Sequence, residues 1–599
     1  MAVAALPARS ELASEFTWDL ESIYPTAEAW ESDLKALASR LPELETFQGK
    51  LGQSATQMAA ALTLRDELDV TLGKLYSYAH MKHDEDSTQP AAQALHDRVV
   101  GLFARFGAAA AFFTPEIVAL EPETVERWLR EEPELASYRF LLESTLRQKP
   151  HVRSTEVEGL LAQNREVARG PSTIYDMLQD ADMKFPRIRD EHGEEVELTH
   201  GRYIPFQQSA DRRVRQESFA ALYSTYAAYR NTIAASYATS VKADVFYARA
   251  HHYDSAQQAA MDGDNIPLEV YSNLVSTVES RLDLMQRYLR LRKRVMGLDE
   301  LHMYDVYAHL VPNAKKVIPY AEAKEGVQAA VSALGSDYRE AASHGLASRW
   351  VDVYETPGKA SGAYSSGSYG THPFILMNYQ DNLDGVYTLA HELGHSMHSY
   401  YTRATQPPVY ADYSLFVAEV ASITNEALLT QHLLQQEMDV DTRKALINNE
   451  LEKYRGTLFR QTMFAHFEQE THRLVEAGEA LTSEALNQFY FDLVTTYFAP
   501  ECVIDEPVAF EWSRIPHFYR AFYVYQYSTG ISAATALARG ILNEGQPAID
   551  RYRRFLAAGG SDYPINLLRD AGVDMTSPEP VRAALDHFEG LLQQFEALL

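Results

Sequence analysis

Between Leu389 and Tyr401 the chain reads LAHELGHSMHSYY, which puts His391, Glu392, His395 and His398 within eight positions. Two imidazoles four residues apart on a helix share a face, so both can reach one cation at about 2 Å. Glu392 projects beside that pair, where a carboxylate can take a proton from water that a metal has acidified. His398 stands seven residues past His391, about 10 Å along a helix axis. Two nitrogens on one tetrahedral zinc are only about 3.5 Å apart. His398 is therefore expected to pack or to support a ligand from behind, and a third ligand has to come from elsewhere. The competing reading is an amphipathic helix whose histidines merely find hydrogen bonds.

The third ligand has a candidate in the next helical stretch, SLFVAEVASITNEALLTQ at 414–431, where Glu419 and Glu426 follow at a seven-residue step. Around them sit Leu415, Phe416, Val420, Ile423 and Leu428, and a carboxylate amid such neighbours requires a partner or a metal. His391, His395 and Glu419 on one Zn2+ per chain would leave the fourth position open to water, the pattern of catalytic rather than structural zinc. Glu426 would then orient a ligating histidine from behind. The alternative is a pair of ordinary glutamates on a solvated face.

Such a site needs elements that hold it. Val386, Leu389, Ala390, Leu393, Met397 and Tyr400 recur at three- and four-residue steps, the stripe of a buried helix. Asp381 and Asp384 offer N-caps, Gln406-Pro407-Pro408 ends the helix, and Gly394 leaves room for a close approach. Just upstream, 348–380 holds two strand-like runs, 350–355 and 373–379, around a stretch containing Gly358, Gly362, Gly367 and Gly370. This reads as a hairpin with a mobile loop, or as a strand edge able to bind an extended peptide. No Gly-Lys-Ser/Thr follows, so the glycines do not form a phosphate loop.

Most of the remainder has helical spacing, for instance 28–41, 217–250, 268–295, 417–437 and 442–476. A short hairpin around His192-Gly193 interrupts it at 184–203 and suggests a junction. The predicted division is an N-terminal helical lobe at 1–190 and a catalytic domain at 191–599. The chain carries 54 Lys+Arg against 83 Asp+Glu, a formal charge of -29 in 599 residues. So acidic a surface repels polyanions, and nucleic acid is excluded as a partner. The single cysteine, Cys502, permits no intrachain disulfide. The N-terminal MAVAALPARSELASEF lacks the basic start of a signal peptide, and the apolar run at 107–113 is too short to span a bilayer. The expectation is a soluble cytoplasmic protein with no membrane partner; the oligomeric state is not legible.

HELGHSMHS followed by FVAEVAS, with the glutamate 28 positions after the first histidine, resembles the thimet oligopeptidase family of zinc peptidases. The likeness extends over nearly the whole chain through FTWDLESIYP, LYSYAHMKHDEDS, GTHPFILMNYQ and IPHFYRAFYVYQYSTG. It implies a mostly α fold: a large, two-lobed helical peptidase with a deep central cleft and a small β-sheet beside the zinc helix. It also implies cleavage of short peptides at internal bonds. Carried over by position, His391, His395 and Glu419 match the zinc ligands, Glu392 the general base and Glu426 a supporting carboxylate. His517 matches a histidine that faces the substrate, and Tyr523, then Tyr527, match the following tyrosines. On a helix Tyr523 and Tyr527 would share a face and Tyr525 would point away. A phenol there could donate a hydrogen bond to the oxyanion. The other readings are a zinc carboxypeptidase or dipeptidyl carboxypeptidase, with Arg514 or Arg520 binding a terminal carboxylate, and a non-catalytic peptide-binding protein.

Overall fold

Alanine-rich and straight-chain runs favour helix because they lose little rotamer freedom there, and helix accounts for 72% of the chain. The computed structural model describes residues 6–311, 317–436 and 438–599. The predicted helices at 28–41 and 217–250 are Ala27–Glu45 and Arg212–Ala250. The latter begins at Asp211, whose carboxylate accepts the N–H of Arg213 at 2.9 Å, as an N-cap should. Two long predictions are broken. Residues 268–295 form Leu268–Glu279 and Leu282–Val295, while 442–476 form Val440–Tyr454 and Arg460–Glu476 around a π-helical turn at Arg455–Phe459. Apolar residues continue across both interruptions, so residue type alone does not reveal where the hydrogen-bonding pattern changes. The prediction at 417–437 is helix Leu415–Gln435; residue 437, like residues 1–5 of the N-terminal stretch, lies outside the described residues.

The chain forms two compact units. One comprises Met1–Val152, Lys316–Leu433 and Leu537–Gly572; the other comprises Arg153–Lys315, Leu434–Ala536 and Val573–Leu599. The core of the first unit packs Trp18, Trp30, Leu62 and Leu75 with Phe374 and Leu376. Within it the stretch Pro90–Val118 is long and apolar enough to cross a membrane by length and composition, with a mean hydropathy of 1.2 over an 18-residue window. It carries Arg98, which forks onto Glu31 at 2.6 and 2.9 Å. In the second unit the helix Arg212–Ala250 sends Arg212 and Arg215 to the fully buried Asp305, each at 2.8 Å. There the short hairpin is present as β1 (Arg187–Arg189) antiparallel to β2 (Glu195–Glu197), with Gly193 at a φ of 80° in the turn.

The sheet of the first unit departs from the predicted hairpin. Strands β3 (Val351–Asp352) and β5 (Phe374–Leu376) run parallel, and a further strand, β4 (Tyr364–Ser366), forms inside the glycine-rich stretch antiparallel to β5. The order β3-β5-β4 places β5 at the centre, fully buried. Strand β5, the centre of the predicted run 373–379, therefore has both sides paired and offers no free edge; β3 and β4 are the edge strands. Only the tyrosine of Tyr-Ser-Ser favours a strand and glycines flank the run, so pairing with β5 decides its conformation. The loop between β3 and β4 is pinned by Lys359, whose ammonium reaches the buried Asp352 at 2.7 Å and the Tyr354 carbonyl at 2.7 Å.

Candidate active site

The histidine helix spans Leu383–Thr405 and ends before Gln406 as expected. Its N-cap is neither of the predicted aspartates but Asn382, whose side-chain oxygen accepts the N–H of Gly385 at 2.9 Å. All three residues are good caps, and only the local chain direction selects one. Leu389, Ala390, Leu393 and Met397 are fully buried, so the apolar stripe faces the core of its unit up to Met397, while Tyr400 at its end is exposed. On one flank Ser396 Oγ meets Ser365 Oγ of β4 at 2.8 Å. On another the helix is crossed by the glutamate helix, Leu415–Gln435.

Gly394 explains how closely the two helices approach. A Cβ built on it would lie 2.5 Å from the Ser422 Cα and 2.7 Å from the Ala421 carbonyl oxygen. The contact is backbone against backbone, and polar ties hold it: Asn425 Nδ2 donates to the Ala390 carbonyl at 3.3 Å, and the hydroxyls of Tyr387 and Thr430 meet at 2.8 Å. The sequence signal for this was the glycine itself, in the middle of a helix that would otherwise disfavour it.

That approach brings Glu419 to the two histidines. The Nε2 atoms of His391 and His395 are 3.2 Å apart, and Glu419 Oε2 stands 3.3 Å from the first and 3.6 Å from the second. Three ligands at about 2.0–2.1 Å from a tetrahedral ion are separated by about 3.4 Å, so the triangle has the dimensions of a three-ligand site. Among the described residues these three are the group that converges in this way. Glu426 Oε1 lies 2.5 Å from His391 Nδ1, the position from which a carboxylate orients a ligating imidazole and turns its Nε2 toward the metal. Burial opposes an imidazolium at His391, yet Glu419 and Glu426 raise its pKa to about 10, and the two histidines hold Glu419 well below the usual carboxylate range despite its own burial.

Glu392 is buried beside them, 7% exposed, and burial pushes its carboxyl up against the pull of His391 and His395. His398 is placed away from the triangle. Its ring stacks on Tyr413 at 3.6 Å and packs on Phe555 at 5.2 Å, and burial drives its pKa down to about 3. It is a neutral packing residue, as the seven-residue spacing required.

The remaining candidates cluster in the second unit. His517 sits in a short 3-10 turn, Pro516–Tyr519, stacked on Tyr523 with ring centroids 6.1 Å apart. The Tyr527 hydroxyl is 3.4 Å from His517 Nε2. Burial, then Arg460 and Arg520, lowers the pKa of His517, so its imidazole is neutral at pH 7. The helix begins only at Tyr525, so Tyr523 does not share a helical face with Tyr527; the chain bends before the helix and their rings still meet at 5.4 Å. Tyr525 turns inward, 1% exposed against Tyr271, away from the other two rings but not by the predicted helical alternation. Arg514 is occupied, lying over the Tyr203 ring and 3.5 Å from the Tyr223 hydroxyl, whereas Arg520 is exposed over Tyr523.

A metal-capable triangle with a buried glutamate beside it restricts the chemistry but not the lineage. A family model described as Peptidase family M3 matches residues 206–587, and one described as Oligopeptidase F matches residues 116–185. The chain belongs to peptidase family M3. Oligopeptidase PepF of Bacillus subtilis is 48% identical over 99% of this chain and 89% of its own length, and Group B oligopeptidase PepB of Streptococcus agalactiae is 41% identical over 99% and 98%. The crystal structure of oligoendopeptidase-F from Enterococcus faecium superposes with a TM-score of 0.75 at 37% identity, over 95% of this chain and 99% of that one. The resemblance to thimet oligopeptidase relatives is thereby borne out, with oligoendopeptidase F as the nearer kind. This M3 chain is a metallo-oligopeptidase acting on peptides, which sets aside the non-catalytic alternative.

Proposed function

We propose that this M3 peptidase is a zinc-dependent endopeptidase that hydrolyses internal bonds of short peptides. The observation that carries the reading is the triangle of His391 Nε2, His395 Nε2 and Glu419 Oε2, with sides of 3.2, 3.3 and 3.6 Å. Two imidazoles and one carboxylate are a donor set suited to zinc, and three protein ligands leave room for water. Zinc bound there supplies a Lewis acid that polarises a peptide carbonyl and acidifies water. Glu426, 2.5 Å from His391 Nδ1, orients that imidazole so that Nε2 faces the metal. Glu392, whose burial raises its affinity for a proton, takes one from the attacking water and passes one to the leaving amine. His517 and Tyr523, with Tyr527 beside the imidazole, donate hydrogen bonds to the oxygen on which negative charge develops. The edge strand β4 lines up an extended peptide through its main-chain groups.

Residues 1–190 and 191–599 are the functional division this reading favours, because the two family matches, 116–185 and 206–587, fall on either side of it. A cytoplasmic location is supported by the single cysteine, which can form no intrachain disulfide. Exposed Arg520 favours one other reading, release of C-terminal fragments through recognition of a free carboxylate. Incubation with an internally quenched peptide blocked at both ends, with and without a chelator, separates them. Internal cleavage that stops with chelator and returns with added zinc is the expected result; cleavage only of peptides with a free C-terminus refutes the endopeptidase assignment.

A further inference from the structure

The segment that joins His517 to the helix at Tyr525 bends at Phe522, a non-glycine residue with φ of 53°. A side chain in this left-handed region crowds its own backbone, so the conformation persists only where its surroundings enforce it. Here the enforcing group is a carboxyl from another helix. Glu468, on helix Arg460–Glu476 and fully buried, accepts the Phe522 N–H on Oε1 at 2.8 Å. Its other oxygen, Oε2, is buried with no hydrogen-bond partner. An acid that gives up water on both oxygens to hold one backbone N–H is a costly device for packing alone.

The surroundings complete a clamp. His472, one turn on from Glu468, packs its ring on Phe522 at 4.6 Å and meets Asp244 Oδ2 at 3.3 Å through Nε2. Tyr271 also packs on the Phe522 ring, edge to face with centroids 5.9 Å apart. The residue after this clamped bend is Tyr523, whose ring faces His517 and Tyr527.

We propose that Glu468 is a positioning residue for the peptidase reaction, holding Phe522 in its left-handed conformation so that Tyr523 and His517 keep the mutual orientation in which both can donate to the substrate. The inference rests on the roles assigned to Tyr523 and His517 above. With the latch gone, Phe522 relaxes to an ordinary backbone conformation, the peptide linking it to Tyr523 rotates, and the phenol leaves its place. Burial pushes the Glu468 carboxyl up to about 8, so at pH 7 it is the neutral acid, and glutamine is its closest mimic.

The test compares Glu468→Met, which keeps volume but removes the acceptor, with Glu468→Gln, which keeps it. In Glu468→Met kcat should fall by about 10–100-fold, the scale of an ångström-sized misplacement, with KM, metal content and melting behaviour close to wild type. Glu468→Gln should restore kcat. Because the latch acts through Tyr523, the double variant Glu468→Met/Tyr523→Phe should be no slower than Tyr523→Phe alone. If Glu468→Met does not fold, Glu468→Asp, which withdraws the acceptor while retaining the carboxyl, is read in the same way. Wild-type kcat in the latch variant, or fully additive losses in the double variant, overturns the inference while Tyr523 keeps its role. Wild-type kcat in Tyr523→Phe overturns both the role and the latch built on it.

Discussion

Replacing Gly394 by alanine tests whether the metal triangle is set by the closeness of two helices. In an ordinary helix interior Gly→Ala is favourable by about 1 kcal/mol. Here the new Cβ would sit 2.5 Å from the Ser422 Cα and 2.7 Å from the Ala421 carbonyl oxygen. Carbon atoms pack best at about 3.5–4.0 Å, so the glutamate helix must retreat by about 1 Å. Both obstructing atoms are backbone, and no side-chain rotation relieves them. Overpacking of this kind costs about 1–3 kcal/mol, which reverses the sign expected from propensity. Glu419 travels with the helix, three residues before Ser422, and metal ligands tolerate about 0.2 Å of displacement. We expect metal affinity to fall about 10–100-fold, the loss seen when a ligand is misoriented. The assay is competition for zinc against a chelator of known affinity, together with thermal melting of metal-free and metal-loaded protein. Gly326→Ala is the control, because a Cβ there meets nothing within 4 Å in helix Tyr320–Val331; it should melt at or above wild type. A Gly394→Ala protein that melts no lower than wild type and keeps its metal equally well would refute the reasoning.

Glu392→Gln should retain metal and lose about 10²–10⁴-fold in kcat, the contribution of a positioned general base; the same cleavage assay with metal analysis checks both halves. Glu426→Ala frees the Nδ1 side of His391 and should weaken metal binding about 10–100-fold, measured by the chelator competition, with unaltered affinity counting against its supporting role. Glu468 makes a stability prediction with a definite sign. Its folded pKa, raised by burial to about 8 from 4.5, means that the folded state holds the proton more tightly than the unfolded chain does. The stability this contributes is complete below pH 4.5 and is lost as pH rises to about 8, so Glu468→Gln should gain on wild type across that window and level off above it. Denaturant unfolding over the pH series measures the gap, and a gap that does not change with pH contradicts the assignment.

The reading of individual residues went furthest where chemistry and spacing are both local. His391 and His395 at one helical turn, the exclusion of His398 by its axial distance and the hairpin at Gly193 depend on helix pitch, strand alternation and turn chemistry, which a few neighbouring residues specify. Glu419 was also legible, since a carboxylate in an apolar stripe announces that something charged must meet it.

What local pattern left undecided needed contacts between distant segments. Strand β4 exists because β5 pairs with it, and its own Tyr-Ser-Ser would not have chosen it. The left-handed bend at Phe522 exists because Glu468, 54 residues earlier in the chain, accepts its N–H. The spacing of Glu419 from the histidines comes from Gly394 admitting the backbone of a second helix. Residue types and their periodicity thus determined which groups were available for hydrolysis and on which elements they rode. The ångström-scale positions of those groups were decided by close packing, because an interior without voids ties each side chain to whatever segment fills the space beside it.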